Sequence, residues 1–141
     1  MEHLADCKFC QLIAGDPESY IVFEDDVSLA FLDHRPLFPG HTLLVPKQHV
    51  ETLDDLPAQL IAPFFGNAQK LARAVERGMQ AEGSFVAINN RVSQSVPHLH
   101  VHIVPRRKKD GLRGFFWPRQ NHPEEAQMKQ AQAAIRRAIE S

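Results

Sequence analysis

The sequence predicts an α+β domain in which an antiparallel five-stranded sheet packs with one long helix and a C-terminal helix. Short runs of β-favouring residues are joined by turn residues, as in hairpins. One long stretch with helical periodicity separates the early strands from the late ones. The order is therefore strands, helix, strands, helix, without the regular βα alternation of a parallel sheet. A chain of 141 residues suits one domain over 1–141 and can bury a hydrophobic core.

Five segments are predicted to form the strands, and turn residues separate them. Asp25 and Asp26 make the turn between the first two strands, which gives a hairpin. Two prolines punctuate the loop 35–40 before the third strand, and Pro46 ends that strand. The predicted strands are, in order, 20–24, 28–33, 41–45, 84–89 and 97–105.

The long helix is predicted from apolar residues that recur at helical spacing between residues 57 and 80. Pro57 lies near its start, where a proline is well tolerated. Pro63 either bends this helix or marks an earlier break. A short helical turn over 10–15 precedes the first strand.

The end of the chain, 123–141, is predicted to be a C-terminal helix whose body is 124–139. A proline stands at its head, and Arg136 and Arg137 lie near its end, where cations complement the helix dipole. The preceding segment, 106–123, is predicted to be mobile.

Composition narrows the class of protein. The formal charge of −1 does not favour binding to nucleic acid or to a membrane surface. No apolar run approaches the ~18 residues of a membrane span, and the acidic amino terminus has no apolar segment typical of a secretory signal. These features predict a cytoplasmic protein with no membrane and no nucleic-acid partner.

The most informative segment is 98–104, in which three histidines alternate with apolar residues. In an extended strand His98, His100 and His102 share one face, and the alternate residues face the core. A neutral imidazole binds a metal, accepts a proton or attacks phosphorus, while its second nitrogen fixes the tautomer through a hydrogen bond. Three interpretations stay open: an assisted nucleophile, a three-histidine metal site, and a solvent-facing strand that is rich in histidine.

The two cysteines, Cys7 and Cys10, have a spacing that occurs in zinc sites and in redox pairs. No strand precedes them, which disfavours a redox pair of the thioredoxin kind. Thiolates together with imidazoles favour tetrahedral zinc, and His49 and His98 are the candidate partners. The alternative is that both cysteines are small buried residues.

Further polar residues stand where strands end. Asp33 can bind sugar hydroxyls or serve as a turn carboxylate, and His41 opens the third strand. Between the last two strands, amide and hydroxyl groups either bind a phosphate beside the histidines or fill a turn; they belong to Asn89, Asn90, Gln94 and Ser95.

Two segments after the histidines have open roles. The basic run 106–109 either neutralises a polyphosphate or forms a solvated face. The aromatic cluster 115–118 caps a core, meets a second subunit or stacks on a base.

Taken together, these residues resemble the histidine triad (HIT) family of nucleotide hydrolases and transferases. The resemblance extends from residue 7 to about 105, and its most specific segment is 94–104. Asp33 and the segments 39–42 and 46–49 match other signatures of the family. The resemblance implies a homodimeric α+β fold whose sheet continues across the dimer, and a purine nucleotide substrate attacked at its α-phosphate.

The resemblance also implies roles for individual residues. His100 would be the nucleophile that forms a transient nucleotidyl-histidine, and His102 and His41 would support it. Ser95 would be a further catalytic residue that bonds to the leaving group, and the implied substrate contacts are Asn89 to the phosphate and Asp33 to the ribose. In the zinc-binding branch, a structural zinc ion would be held by Cys7, Cys10, His49 and His98.

The function predicted in this way is cleavage of adenosine phosphoramidates or dinucleoside polyphosphates at the α-phosphate. The preferred leaving group stays open. The competing interpretations are a non-enzymatic nucleotide-binding or scaffold protein with the same pocket, and a metal-dependent hydrolase that uses the three histidines as ligands.

Overall fold

A computed structural model describes residues 5–15, 19–113 and 124–140, and confirms the α+β fold. Five strands form one antiparallel sheet: β1 (Ile21–Glu24), β2 (Ser28–Leu32), β3 (Thr42–Pro46), β4 (Gly83–Ile88) and β5 (Val101–Arg106). The helices are α1 (Lys8–Ile13), α2 (Ala58–Gly78) and α3 (Glu125–Glu140). No helix among the described residues is both long enough and apolar enough to cross a membrane.

The sheet places the last strand in its interior. The strand order is β1-β2-β3-β5-β4, so β5 pairs with β3 on one side and with β4 on the other. His102 lies opposite Leu43 of β3 and Ala87 of β4. The residues of β5 are therefore held by two antiparallel neighbours, which fixes the face on which each side chain lies.

The two faces of the sheet are covered by different elements. On one face, Leu99, Val101 and Ile103 are buried in a cluster with Phe64 and other apolar residues of α2. A second cluster joins Phe31 of β2 to the residues around α1; its buried members are Cys7, Phe9, Cys10, Leu29, Phe31, Leu43 and Val45. Each buried side chain of this size contributes about 1.5–3 kcal/mol relative to exposure. The site described below lies on the α1 face.

The long helix runs without a break through Pro63, so of the two alternatives at this proline the break is excluded. Pro57 is its N-cap, next to the predicted start. Because proline has no amide hydrogen, the carbonyl of Gln59 loses its helical partner. Gln59 is exposed, so water can satisfy that carbonyl.

The predicted start of the histidine strand, residue 97, is also wrong, because β5 begins only at Val101. Before that residue the backbone bonds elsewhere: the His98 amide donates to the Val96 carbonyl, and the Leu99 amide donates to the Val50 carbonyl. His98 and His100 therefore precede the sheet. The alternation of faces persists, since Leu99 is buried against α2 while His98 and His100 contact Phe9.

The chain groups into two compact units, Met1–Asp110 and Gly111–Ser141. The first holds the sheet with α1 and α2, and the second contains α3. A single domain over 1–141 and mobility of 106–123 stay predictions. Arg106 is the last residue of β5, whereas residues 114–123, including the aromatic cluster 115–118, lie outside the described residues.

Candidate active site and metal cluster

A cavity of about 870 Å³ lies on the α1 face of the sheet. That volume falls in the range of small-molecule sites. His100, His102, Ser95 and Asp33, all predicted from the sequence, contribute to its wall. Much of the remaining wall is apolar and includes Phe9, Leu12, Phe31, Leu32, Leu43 and Val96. The cavity thus places two imidazoles beside an apolar surface.

A hydrogen bond to the backbone carbonyl of His98 holds the ring of His100 in one tautomer. Its Nδ1 lies 2.7 Å from the carbonyl oxygen of His98, a group that only accepts hydrogen bonds. Nδ1 of His100 therefore carries the proton and donates it. In the neutral ring, Nε2 keeps its lone pair, which is the state that a nucleophile needs.

The two other histidines among the catalytic candidates, His41 and His102, form a directed hydrogen-bond chain. The Leu37 amide donates to Nδ1 of His41 at 3.1 Å, so the proton of a neutral His41 is on Nε2. Nε2 of His41 lies 3.0 Å from Nδ1 of His102 and donates to it. His102 must then carry its own proton on Nε2. The site therefore combines an acceptor nitrogen on His100 with a donor nitrogen on His102.

The loop before His41 is shaped by Gly40. Gly40 has a φ of +95°, which side-chain-bearing residues rarely adopt, and a Cβ atom there would lie 2.5 Å from Cγ of Met79. The His41 amide donates to the carbonyl of Phe38, which closes the turn. This close approach to the end of α2 fixes where β3 begins and where the His41 ring lies.

Burial keeps this histidine pair neutral. The pKa of His102 is lowered to about 4, first by burial and then by the neighbouring rings of His100 and His41, against the opposing effect of Asp33. Burial also lowers the pKa of His41, while Asp33 acts in the opposite direction. Because both rings are uncharged near neutral pH, the directed chain of hydrogen bonds persists there.

Acidification is expected to destabilise the protein through His102. The unfolded chain takes up this proton near the ordinary pKa of 6.5, whereas the folded protein does so only at about 4. Between these values the unfolded state binds more protons, so stability falls as the pH is lowered from 6.5 towards 4. Thermal melts over this range are expected to show a weaker pH dependence for His102→Gln than for the wild type. Parallel curves would contradict the assignment, since the variant keeps His100, His41 and Asp33.

The geometry argues against a metal ion shared by His41 and His102. Their facing nitrogens lie within 4.8 Å of a carboxylate oxygen of Asp33, a set that could in principle hold a metal. However, the ring centroids are 5.2 Å apart for an N···N distance of 3.0 Å, so the two nitrogens point almost directly at each other. Two nitrogens that face each other in this way share one proton in a hydrogen bond. Their lone pairs do not point at an ion placed to one side of the line that joins them.

His98 points away from that pair and belongs to a separate cluster with the cysteines. Its Nδ1 lies 3.4 Å from Sγ of Cys7 and 3.6 Å from Sγ of Cys10, and Nδ1 of His49 lies 3.3 Å from Sγ of Cys10. All four ligand atoms lie within 4.8 Å of one another. The three histidines 98, 100 and 102 therefore do not converge on one point, as a three-histidine metal site requires.

This cluster has the donors and the spacing of a tetrahedral zinc site. With Zn–S near 2.3 Å and Zn–N near 2.0 Å, tetrahedral geometry separates sulfur from nitrogen by about 3.5 Å. The observed S···N distances of 3.3–3.6 Å agree with that value. Nε2 of His98 lies 2.9 Å from the Pro46 carbonyl and donates to it, which leaves Nδ1 free of a proton for a metal. The residues present therefore fit the ion.

Two predicted substrate residues lie away from the cavity wall. The amide group of Gln94 is engaged at both ends, since it accepts from the Arg91 amide and donates to the Glu51 carbonyl. Asn89 is exposed and does not contribute to the wall. The side chain of Asn90 accepts from the Leu53 amide. Substrate roles for Asn89 and Gln94 stay predictions, and the structure gives Gln94 and Asn90 a part in holding the loop.

The start of the basic run has structural partners outside the cavity. Arg106 forms a two-pronged ion pair with Asp110, at 2.6 and 3.0 Å. Arg107 donates to the Met79 carbonyl at the end of α2. The cavity wall instead contains two other cations, Lys8 and Arg35.

Several groups that shape the site carry no clear signal in the sequence. Phe9 touches the rings of both His98 and His100 edge-on, with centroids 5.9 and 5.1 Å apart. Its place between the two cysteines was the one available hint. The Leu37 amide and the Pro46 carbonyl are backbone groups, which nearly every residue has, so no residue type marks them.

Comparison with known proteins identifies the family. The model of the HIT domain family matches residues 15–109, and the chain belongs to this family. The protein hit of Bacillus subtilis is 40% identical over 113 residues, which cover 79% of this chain and 78% of the relative. An adenylylsulfatase of Arabidopsis thaliana is 33% identical over 76% of this chain and 55% of its own length.

Solved structures agree with this assignment. SMU.412c of Streptococcus mutans has a TM-score of 0.87 and 36% identity, covering 96% of this chain and 87% of its own. A zinc-bound histidine triad family protein of Mycobacterium smegmatis has a TM-score of 0.71 and 35% identity, covering 96% of each chain. Among the relatives found by sequence, a bis(5'-nucleosyl)-tetraphosphatase of Schizosaccharomyces pombe is 35% identical over 65% of this chain and 52% of its own.

Proposed function

We propose that the protein is a nucleotide hydrolase or transferase that cleaves its substrate at the α-phosphate through a nucleotidyl-His100 intermediate. The observation that carries this proposal is the bond from Nδ1 of His100 to the His98 carbonyl, which leaves Nε2 as a nucleophile in the wall of the cavity. Two HIT relatives, named as an adenylylsulfatase and a dinucleoside tetraphosphatase, support a nucleotide substrate.

The reaction follows from the two tautomers. Nε2 of His100 attacks the α-phosphorus, an N–P bond forms, and the bond from phosphorus to the leaving group breaks. The Nδ1–H of His100 stays on the His98 carbonyl and stabilises the positive charge of the adduct. The Nε2–H of His102 and the hydroxyl of Ser95 are donors for phosphate oxygens and for the leaving group. Water then attacks phosphorus: an O–P bond forms, the N–P bond breaks with its electron pair returning to Nε2 of His100, and the proton lost by the water passes to solvent as the nucleoside monophosphate leaves.

The cavity suits a purine nucleotide. The apolar wall that includes Phe9 and Phe31 offers area for a base, and aromatic stacking adds about 0.5–1.5 kcal/mol. Asp33 accepts from the Arg35 amide through one oxygen, and its second oxygen lies 3.7 Å from Nε2 of His41. Remaining lone pairs of this carboxylate can accept from ribose hydroxyls. Adenosine phosphoramidates and dinucleoside polyphosphates both fit this scheme.

We also propose that a structural zinc ion is held by Cys7, Cys10, His49 and His98. The donor set and the S···N distances support it. Bound zinc would supply a crosslink between α1, the end of β3 and the segment before β5. With all four positions taken by the protein, it would have no open position for water, so catalysis falls to the histidines.

A cytoplasmic homodimer that continues the sheet across the subunits completes the proposal. The edge strands of the sheet are β1 and β4. β4 has six residues in unbroken register, whereas β1 has four and a register shift between Ile21 and Phe23. A long regular edge is the better template for pairing with a second chain.

Trapping the adduct tests the enzymatic proposal. The purified protein is mixed with a panel of adenosine phosphoramidates and diadenosine polyphosphates, quenched within one turnover and analysed by peptide mass spectrometry. We expect an adenylyl group on His100, together with kcat/KM values that rank the leaving groups. Tight binding of AMP without an adduct or turnover for any substrate would instead identify a nucleotide-binding protein.

A further inference from the structure

His98 joins the metal cluster to the reactive ring through its own atoms. Its Nδ1 faces the two cysteine sulfurs, its Nε2 donates to Pro46 at the end of β3, and its carbonyl holds Nδ1 of His100. The residue is fully buried, with no exposed surface. His98 therefore supplies both the carbonyl that fixes the tautomer of His100 and the ring that completes the cluster.

The sheet holds this carbonyl only indirectly. Pairing of β5 with β3 and β4 begins at Val101, beyond both His98 and His100. The backbone before it donates outside the sheet: the His98 amide bonds to the Val96 carbonyl, and the Leu99 amide bonds to the Val50 carbonyl. The His98 side chain contributes its contacts with the cluster and with Pro46, so the cluster is a major constraint on the carbonyl.

Phe9 provides a second link between the cysteines and His100. Phe9 lies between Cys7 and Cys10 in the chain, is buried, and meets His100 edge-on with the ring planes at 80°. Any shift of the cysteine segment therefore moves the ring that packs against the nucleophile. Both routes lead from the cysteine ligands to His100.

We propose, on the basis of the function argued above, that His98 is a positioning residue through which metal binding controls the reactivity of His100. Metal at the cluster holds the His98 carbonyl and the Phe9 ring in place, and these fix the tautomer and direction of the His100 ring. Loss of metal lowers the rate of adduct formation at 25 °C, while the sheet, the α2 core and nucleotide binding persist. The cluster thereby makes activity respond to zinc supply.

The experiment compares zinc-loaded with chelator-treated protein by three measurements. Long-range ¹H–¹⁵N spectra report the tautomer of His100, calorimetry gives the Kd of AMP, and single-turnover mass spectrometry gives the rate of adduct formation. We expect the apo protein to lose the single Nδ1–H tautomer and to react about 10- to 100-fold more slowly, because small misplacements of reacting atoms have effects of this size. The Kd of AMP is expected to rise by at most about threefold, about 0.7 kcal/mol, because Phe9 is only one of several apolar residues in the cavity wall.

A variant pair covers the case in which apo protein unfolds. His49→Gln removes a ligand that is outside the segment of His98 and His100, and Val75→Ala loosens the α2 core on the other face. At temperatures where both variants are folded, only His49→Gln is expected to react slowly and to regain rate when zinc is added.

The outcomes separate the inference from the proposed function. An unchanged tautomer and adduct rate in folded apo protein would overturn the inference, as would equal rates for the two variants at equal folded fraction. A zinc-loaded wild type that forms no adduct would overturn the proposed function. The tautomer spectra would still decide the inference in that case.

Discussion

Replacement of His100 by asparagine is expected to lower kcat/KM by at least about 10⁴-fold, because removing a covalent nucleophile has effects of this order. Asparagine retains an amide donor that can reach the His98 carbonyl and is close in size to imidazole, so the loss reports the missing lone pair of Nε2. The measurement is steady-state turnover of adenosine phosphoramidate. Melting temperature and AMP affinity serve as controls and are expected to stay near the wild-type values.

A result within tenfold of wild-type turnover would remove His100 from the reaction. Loss of AMP binding in the same variant would point to a collapsed cavity, and the His100→Gln variant would then have to show the catalytic loss with binding intact. The substitution thus distinguishes an enzyme from a protein that only binds nucleotides.

Replacement of Cys7 by serine is expected to lower the melting temperature by about 10 °C and the zinc content together. A serine hydroxyl is a poor substitute for a thiolate in a zinc site, and loss of a few kcal/mol shifts the melting temperature of a domain of this size by about that amount. Zinc per chain is measured by elemental analysis and is expected to fall from about one to less than half.

The matched control is Val45→Ala, in the same buried cluster as Cys7. Val45 has no exposed surface, so the variant leaves a cavity and also melts at a lower temperature. Its zinc content is expected to stay at the wild-type level. Unchanged zinc stoichiometry in Cys7→Ser would exclude the four-ligand site.

The sequence revealed the reactive side chains better than it revealed their surroundings. Strict alternation of histidine with buried residues placed His100 and His102 on one face, and soft-ligand chemistry linked His49 and His98 to the cysteines, as the structure has them. The predicted start of the strand is wrong because His98 bonds to Pro46 and to the cluster, which are remote contacts that periodicity does not encode.

Groups that act through the backbone or through remote partners were hidden in the sequence. Gln94 has the polarity of a phosphate ligand, yet its amide bonds to backbone groups of Arg91 and Glu51. Arg106 has the charge to neutralise a polyphosphate, yet Asp110 neutralises it four residues later. Residue type indicates which groups these side chains can bind. Only the fold determines which of those groups lies within bonding distance.

Alternation between the faces also limits how this stretch of chain can change in evolution. Leu99 has its environment in the α2 core, while its neighbours His98 and His100 have theirs on the α1 face. Deleting or inserting one residue there would turn every later side chain to the opposite face until a bulge absorbed the shift. The histidines would then lie in the hydrophobic core, and the leucine and valine side chains would lie in the cavity. Homologues are therefore expected to keep a constant number of residues in this stretch.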